Sequence, residues 1–169
     1  MNKNLSLLLL YLVFSSFISI VSAQPQEKLK VLVVGMTHDH VHGILQFYKQ
    51  GRVIITGIVE SNPELIARYK KSYQLPDALF FNNISNALKT TKPQAALAFN
   101  AINEHLAVVE ACLPQGIPVM VEKPLATTLE DAKKIETLSK RYNTAVLTNY
   151  ETTWYNSNHY AKDQVDQGN

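Results

Sequence analysis

Between residues 30 and 148, short runs of β-branched and aliphatic residues alternate with longer stretches of helical periodicity, and this alternation constrains the fold most. After Lys30 the run Val31 to Val34 shows no polar alternation, as expected of a strand buried on both faces of a parallel sheet. Gly35 stops it. From His38 to Gln50 the spacing predicts a helix with Val41, Ile44, Leu45 and Tyr48 on one face and Gly51 past its end. Val53 to Val59 predicts a second strand. Ser61-Asn62-Pro63-Glu64 then reads as a helix start, with a polar cap, a proline in the first turn and an acid near the positive end of the dipole.

The pattern continues through Leu79 to Phe81 (strand), Ile84 to Lys89 (helix), Ala95 to Phe99 (strand), Glu104 to Leu113 (helix) and Pro118 to Val121 (strand). Thr127 or Thr128 caps a further helix with Ala132, Ile135, Leu138 and Tyr142 inward and Asn143 as its left-handed terminator. Ala145 to Thr148 is the last strand. Strands alternating with helices at this spacing imply right-handed crossovers, hence an α/β fold with a doubly wound parallel sheet.

The remainder of the chain is bounded more simply. With 169 residues, 46% hydrophobic and 18% charged, there is material for one domain with a real core and no bias toward disorder. A net charge of +2, from 16 basic and 14 acidic side chains, gives no phosphate-neutralising surface, so nucleic acid is not an expected partner. Cys112 is the single cysteine, which excludes an intrachain disulfide. Residues 1–23 have the layout of a secretory signal: Lys3, an apolar run from Leu5 to Ile20, and small residues at Val21-Ser22-Ala23. An uncleaved membrane anchor is the alternative. No Arg-Arg pair precedes the run, so export is expected by the Sec-type route, to a periplasmic or extracellular location.

Ligands of a doubly wound sheet sit at the carboxyl ends of its strands. The first strand-to-helix turn runs Gly35-Met36-Thr37-His38-Asp39-His40-Val41-His42-Gly43. Of the glycines that a Rossmann dinucleotide fingerprint places at its first, third and sixth positions, only Gly35 is present; Thr37 and His40 hold the others. Helix N-terminal amides still suit a phosphate there, with His38 and His40 beside it. Glu60, 25 residues beyond Gly35, ends the second strand, where an acid accepts ribose hydroxyls and repels a 2′-phosphate. NAD is therefore the expected cofactor, with NADP not excluded. In a helix, residues two apart point about 200° away from each other, so among His38, His40 and His42 only His38 and His42 can share an ion; no metal is expected.

In Val119-Met120-Val121-Glu122-Lys123-Pro124-Leu125-Ala126 a strand runs into an acid, a lysine and a proline at the ligand-facing edge of the sheet. A lysine there can bond a ribose hydroxyl or a substrate hydroxyl, and the proline, for which a cis bond is possible, restricts the backbone that carries it. The block VMVEKPLATTLEDAKKI, together with the upstream strand, the turn Asn100 to His105, Glu110-Ala111-Cys112 and Gly116, resembles the Gfo/Idh/MocA family (glucose–fructose oxidoreductase, inositol dehydrogenase and relatives) over residues 30–168. The resemblance implies a Rossmann-type domain at residues 28–150 that binds NAD or NADP, and an oxidoreductase of sugar or polyol type. It implies that Lys123 is catalytic, contacting substrate and nicotinamide ribose, that Glu122 orients the lysine or the cofactor, that Asn100 lines the cofactor, and that His105 meets substrate. Gly35, Thr37, His38, His40 and Glu60 complete the expected cofactor set. Departures from the family pattern are Thr37 and His40 in the turn, and Phe99-Asn100-Ala101 where the family has Thr-Pro-Asn.

The resemblance also implies a second, α+β substrate domain and homo-oligomer contacts. Residues 151–169 read as the linking helix into that domain, so the chain is expected to be a fragment, inactive alone, of an enzyme active at full length. Two other functions stand beside this one: an exported NAD-dependent glycosidase with an internal redox cycle, and a non-catalytic module with a degenerate nucleotide site.

Overall fold

The computed structural model describes residues 27–168; the expected export signal at 1–23 lies outside them. Six strands form one parallel sheet in the order β3-β2-β1-β4-β5-β6: β1 (Lys30–Val34), β2 (Ile54–Val59), β3 (Phe80–Phe81), β4 (Ala95–Ala98), β5 (Val119–Glu122) and β6 (Val146–Asn149). The helices between and after them are α1 (Val41–Lys49), α2 (Pro63–Tyr73), α3 (Ile84–Thr91), α4 (His105–Cys112), α5 (Leu129–Tyr142) and α6 (Asn156–Asp166). The order reverses at β1: the chain adds β2 and β3 on one side, then crosses to β4 on the other. That reversal opens a crevice between β1 and β4 at their carboxyl ends.

The unbroken apolar run of β1 has a direct physical reason. Val31 and Val33 join one buried cluster with Val41 and Leu45 of α1, Tyr69 of α2 and Ile55 and Ile58 of β2. Leu32 and Val34 point the other way, into a cluster with Leu88 of α3, Val108, Val109 and Cys112 of α4, and Ile135 of α5. Both faces of the strand are covered from Val31 to Val34, so these four positions are apolar, while Lys30 at its start is only half-buried. Burial pushes the Cys112 thiol up to about 12, which leaves it a protonated, unreactive core side chain. No described helix is long and apolar enough to cross a membrane.

Helix ends follow local chemistry. The Asn62 side chain accepts from Glu64 N and Leu65 N and caps α2, Thr128 accepts from Asp131 N and caps α5, and Asn143 closes α5 with φ of 46°. Asn62→Ala is expected to lower stability by about 1 kcal/mol in urea denaturation, the usual loss for an N-cap side chain. One boundary differs from the sequence reading in a way that matters. The first helix starts at Val41, not at His38. The Phe99 carbonyl accepts from both Thr37 N (3.1 Å) and His38 N (3.0 Å), tying the turn to the end of β4. His38 to His40 therefore form a tight turn before the helix begins.

Candidate functional site

Gly35 stands at the centre of the crevice. Its φ is +75°, and a Cβ on it would lie 2.4 Å from Asn100 Cβ, 2.5 Å from Asn100 Cα and 2.6 Å from Asn100 N. Only glycine lets the turn after β1 and the turn after β4 pass this closely. Gly35 N donates to the Val59 carbonyl at 2.8 Å, and Phe99 N donates to the Val34 carbonyl at 2.8 Å, so three strand ends are stitched together here. Above them lies a cleft of about 510 Å³ lined by Gly35, Thr37, Glu60, Asn100, Glu104 and Val108, among others.

Glu60 is held by backbone donors. Its Oε2 accepts from Met36 N at 2.9 Å, and its Oε1 accepts from Ser61 N and Asn62 N, each at 2.9 Å. A carboxylate has about four lone-pair directions, so about one remains for a ligand hydroxyl. Asn100 Oδ1 is buried in the same cleft wall and has no hydrogen-bond partner among the described residues. A cleft at the sheet reversal, with one orphaned acceptor and a carboxylate, fits the ribose end of a dinucleotide. The diphosphate is a different matter. Met36 N, Thr37 N and His38 N all donate to protein oxygens, so these amides are committed and not free for an anion.

On the far side of β4, β5 ends in Glu122, followed by Lys123 and a cis Lys123–Pro124 bond. Glu122, at the carboxyl end of β5, is fully buried. His40 Nδ1 lies 3.0 Å from both of its oxygens, Asn149 Nδ2 donates to Oε1 at 2.6 Å, and Lys123 main-chain N donates to Oε2 at 3.3 Å. The other nitrogen of His40, Nε2, faces Glu151 Oε1 at 3.1 Å. His38 packs edge-on against His40 with ring centroids 4.4 Å apart. Lys123 is exposed, with Nζ 3.5 Å from His38 Nε2.

Residues 29–150 match the GFO_IDH_MocA family model, the oxidoreductase family with an NAD-binding Rossmann fold. The chain belongs to this family. Its sheet is the NAD-binding domain of Gfo/Idh/MocA proteins, and NAD is the cofactor that the domain serves. A 1-carboxy-3-chloro-3,4-dihydroxycyclohexa-1,5-diene dehydrogenase of Comamonas testosteroni is 22% identical over 140 residues, covering 83% of this chain and 35% of that protein. The apo scyllo-inositol dehydrogenase of Lactobacillus casei superposes with a TM-score of 0.73 at 19% identity, over 86% of this chain and 43% of that one. The WlbA dehydrogenase of Bordetella pertussis, solved with NADH and UDP-GlcNAcA, gives a TM-score of 0.71 at 20% identity, over 83% and 42%. The chain thus spans less than half the length of each of these relatives.

Within this Gfo/Idh/MocA domain, Gly35, Thr37, Glu60 and Asn100 gather at the cleft, while His38, His40, Glu122 and Lys123 gather at the end of β5. The two groups adjoin along the carboxyl edge of the sheet: Thr37 and His38 are consecutive residues, and β5 neighbours β4, whose end leads into Asn100. His105 belongs to neither. It is fully buried: Nδ1 meets the Leu125 carbonyl at 3.1 Å, and Nε2 has no hydrogen-bond partner among the described residues. His38 and His42, the pair whose spacing suits a shared ion on a helix, separate, and His42 Nδ1 meets Tyr73 OH at 2.5 Å instead. Sequence reasoning missed Glu151 and Asn149. Asn149 pairs in register with Glu122 on the neighbouring parallel strand, a relation visible only once the sheet order is known.

Proposed function

We propose that this chain is the nucleotide-binding part of an NAD-dependent dehydrogenase acting on a sugar or polyol hydroxyl. The observation that carries the reading is Lys123, exposed at the end of β5, one strand beyond the β1–β4 cleft, on backbone anchored by the buried carboxylate of Glu122. Bound NAD supplies a hydride acceptor. Glu60 and Asn100 hold the ribose end across the cleft, and Lys123 Nζ meets the substrate hydroxyl and takes its proton as the carbon is oxidised. A sugar or polyol substrate is supported by relatives of the same fold whose structures hold scyllo-inositol with NAD(H) and UDP-GlcNAcA with NADH. Turnover belongs to a longer protein in this reading. Export is part of the proposal as well, supported by the apolar run and small-residue site within residues 1–23.

A second reading, a module with an altered nucleotide site, is favoured by one observation: the committed amides of Met36, Thr37 and His38. Calorimetry separates the two. The dehydrogenase reading expects NAD to bind at micromolar Kd and NADP at least about tenfold more weakly, a difference of about 1.4 kcal/mol. Glu60→Ala is expected to weaken NAD and narrow that gap. A preference for NADP in the wild type overturns the role given to Glu60. If a folded sample binds neither nucleotide and releases none on denaturation, the altered-site reading replaces the dehydrogenase. In the full-length protein, product formed without net NADH would point to a glycosidase that re-reduces its own intermediate.

A further inference from the structure

The cluster at the end of β5 has a composition that hydride transfer does not explain. His38 and His40 sit two residues apart in a turn, their rings side by side, and Glu122 reaches them from a strand 82 residues further along the chain. One donor atom from each of the three lies within 4.8 Å of the others. We propose that His38, His40 and Glu122 form a binding site for a divalent transition metal of the zinc class. This proposal stands apart from the dehydrogenase reading and does not rest on it.

The donor set is two imidazoles and a carboxylate, which suits zinc and its neighbours and does not suit magnesium or calcium. Ligand atoms bonded to one such ion at roughly 2.0–2.2 Å lie roughly 3–4 Å apart. Here His40 Nδ1 is 3.0 Å and His38 Nδ1 is 3.8 Å from Glu122 Oε2. The three atoms thus need little movement to share an ion.

The surroundings are built as metal sites are built. A ligating imidazole usually donates its second N–H to a carboxylate, which fixes the tautomer and the ring. His40 has that partner: with Nδ1 on the ion, Nε2–H points at Glu151 Oε1, 3.1 Å away. Asn149 Nδ2 donates to Glu122 Oε1 at 2.6 Å and so turns Oε2 toward the histidines. Glu122 itself is fully buried, and its ion-pair partners among the described residues are these two imidazoles alone. A carboxylate withdrawn from water to that extent needs a cation close by.

Two contacts oppose the ion. His38 Nδ1 accepts from His40 N at 3.2 Å, a bond the metal would replace, and Lys123 Nζ lies 3.5 Å from His38 Nε2, on the ring edge away from Nδ1. Three protein ligands leave one coordination position for water or a ligand hydroxyl, the arrangement of catalytic and not of structural zinc.

The test uses tag-free protein stripped with chelator. Zn²⁺ is titrated by calorimetry and Co²⁺ by its visible absorption, with folding checked by circular dichroism. One equivalent per chain is expected, at micromolar Kd or tighter. His38→Ala and His40→Ala should each abolish saturable binding. Glu151→Gln should keep the stoichiometry and weaken binding about 10–100-fold, the usual loss for a partner of a ligating histidine. His159→Ala, on the exposed face of α6, should change nothing. The proposal is overturned if the folded wild type shows no saturable binding, or if the His38→Ala/His40→Ala double variant binds as the wild type does. NAD binding is read on the same samples, so failure of either site leaves the other result intact.

Discussion

Gly35→Ala lowers the free energy of unfolding by at least about 3 kcal/mol, measured by urea denaturation. Two penalties add. A side chain at a φ of +75° costs about 1–2 kcal/mol, and the new Cβ meets Asn100 Cβ, Cα and N at 2.4, 2.5 and 2.6 Å. Two of those three atoms are backbone, so no side-chain rotation relieves the contact. Either the turn after β4 moves, breaking the bonds from Thr37 N and His38 N to the Phe99 carbonyl, or Gly35 loses its bond to Val59. Gly116→Ala isolates the first penalty. Gly116 has a φ of +69° with nothing within 4 Å of its would-be Cβ, so its substitution should cost only about 1–2 kcal/mol. Equal losses for the two variants would show that the close approach to Asn100 contributes nothing.

Lys123→Met in the full-length enzyme is expected to lower kcat about 10²–10⁴-fold, the range of a lost general acid or base, while the Kd for NAD stays within about threefold. Lys123→Arg discriminates the mechanism. Arginine keeps the positive charge but cannot give up its proton, so it should be nearly as impaired as methionine if Nζ accepts the hydroxyl proton. Recovery of activity by arginine would mean that the lysine supplies only charge or a hydrogen bond. The readout is NADH absorbance under saturating NAD, with the nucleotide affinity measured separately.

The sheet and its helices were legible because each element is dictated locally. The unbroken apolar run of β1, the Val41/Leu45 stripe of α1 and the Asn62-Pro63 start of α2 each have their cause within a few residues. Much of the candidate site did not, because its geometry is set by distant partners. The start of α1 moved from His38 to Val41 because a carbonyl at Phe99 captures two amides of the turn. Glu122 is turned inward by His40 and by Asn149, neither of which is near it in sequence. On a helix His38 and His40 would point about 200° apart, whereas in the turn that forms instead their rings meet with centroids 4.4 Å apart. Glu60 was placed correctly at the end of β2, yet the three amides that occupy most of its lone pairs include Met36 N from another strand end.

The contact between His40 and Glu151 bears on how modular this domain is. The family match ends at residue 150, but His40, in the first turn, is gripped from residue 151. A chimera that grafts residues 29–150 onto the remainder of a relative would keep the histidine and discard its second carboxylate. Whatever residue the recipient offers at that place would then decide the ring's orientation, and with it the neighbours of Glu122 and Lys123. Position 40 and position 151 form a unit of exchange that crosses the end of the family match, so the two have to be transplanted, or varied, together.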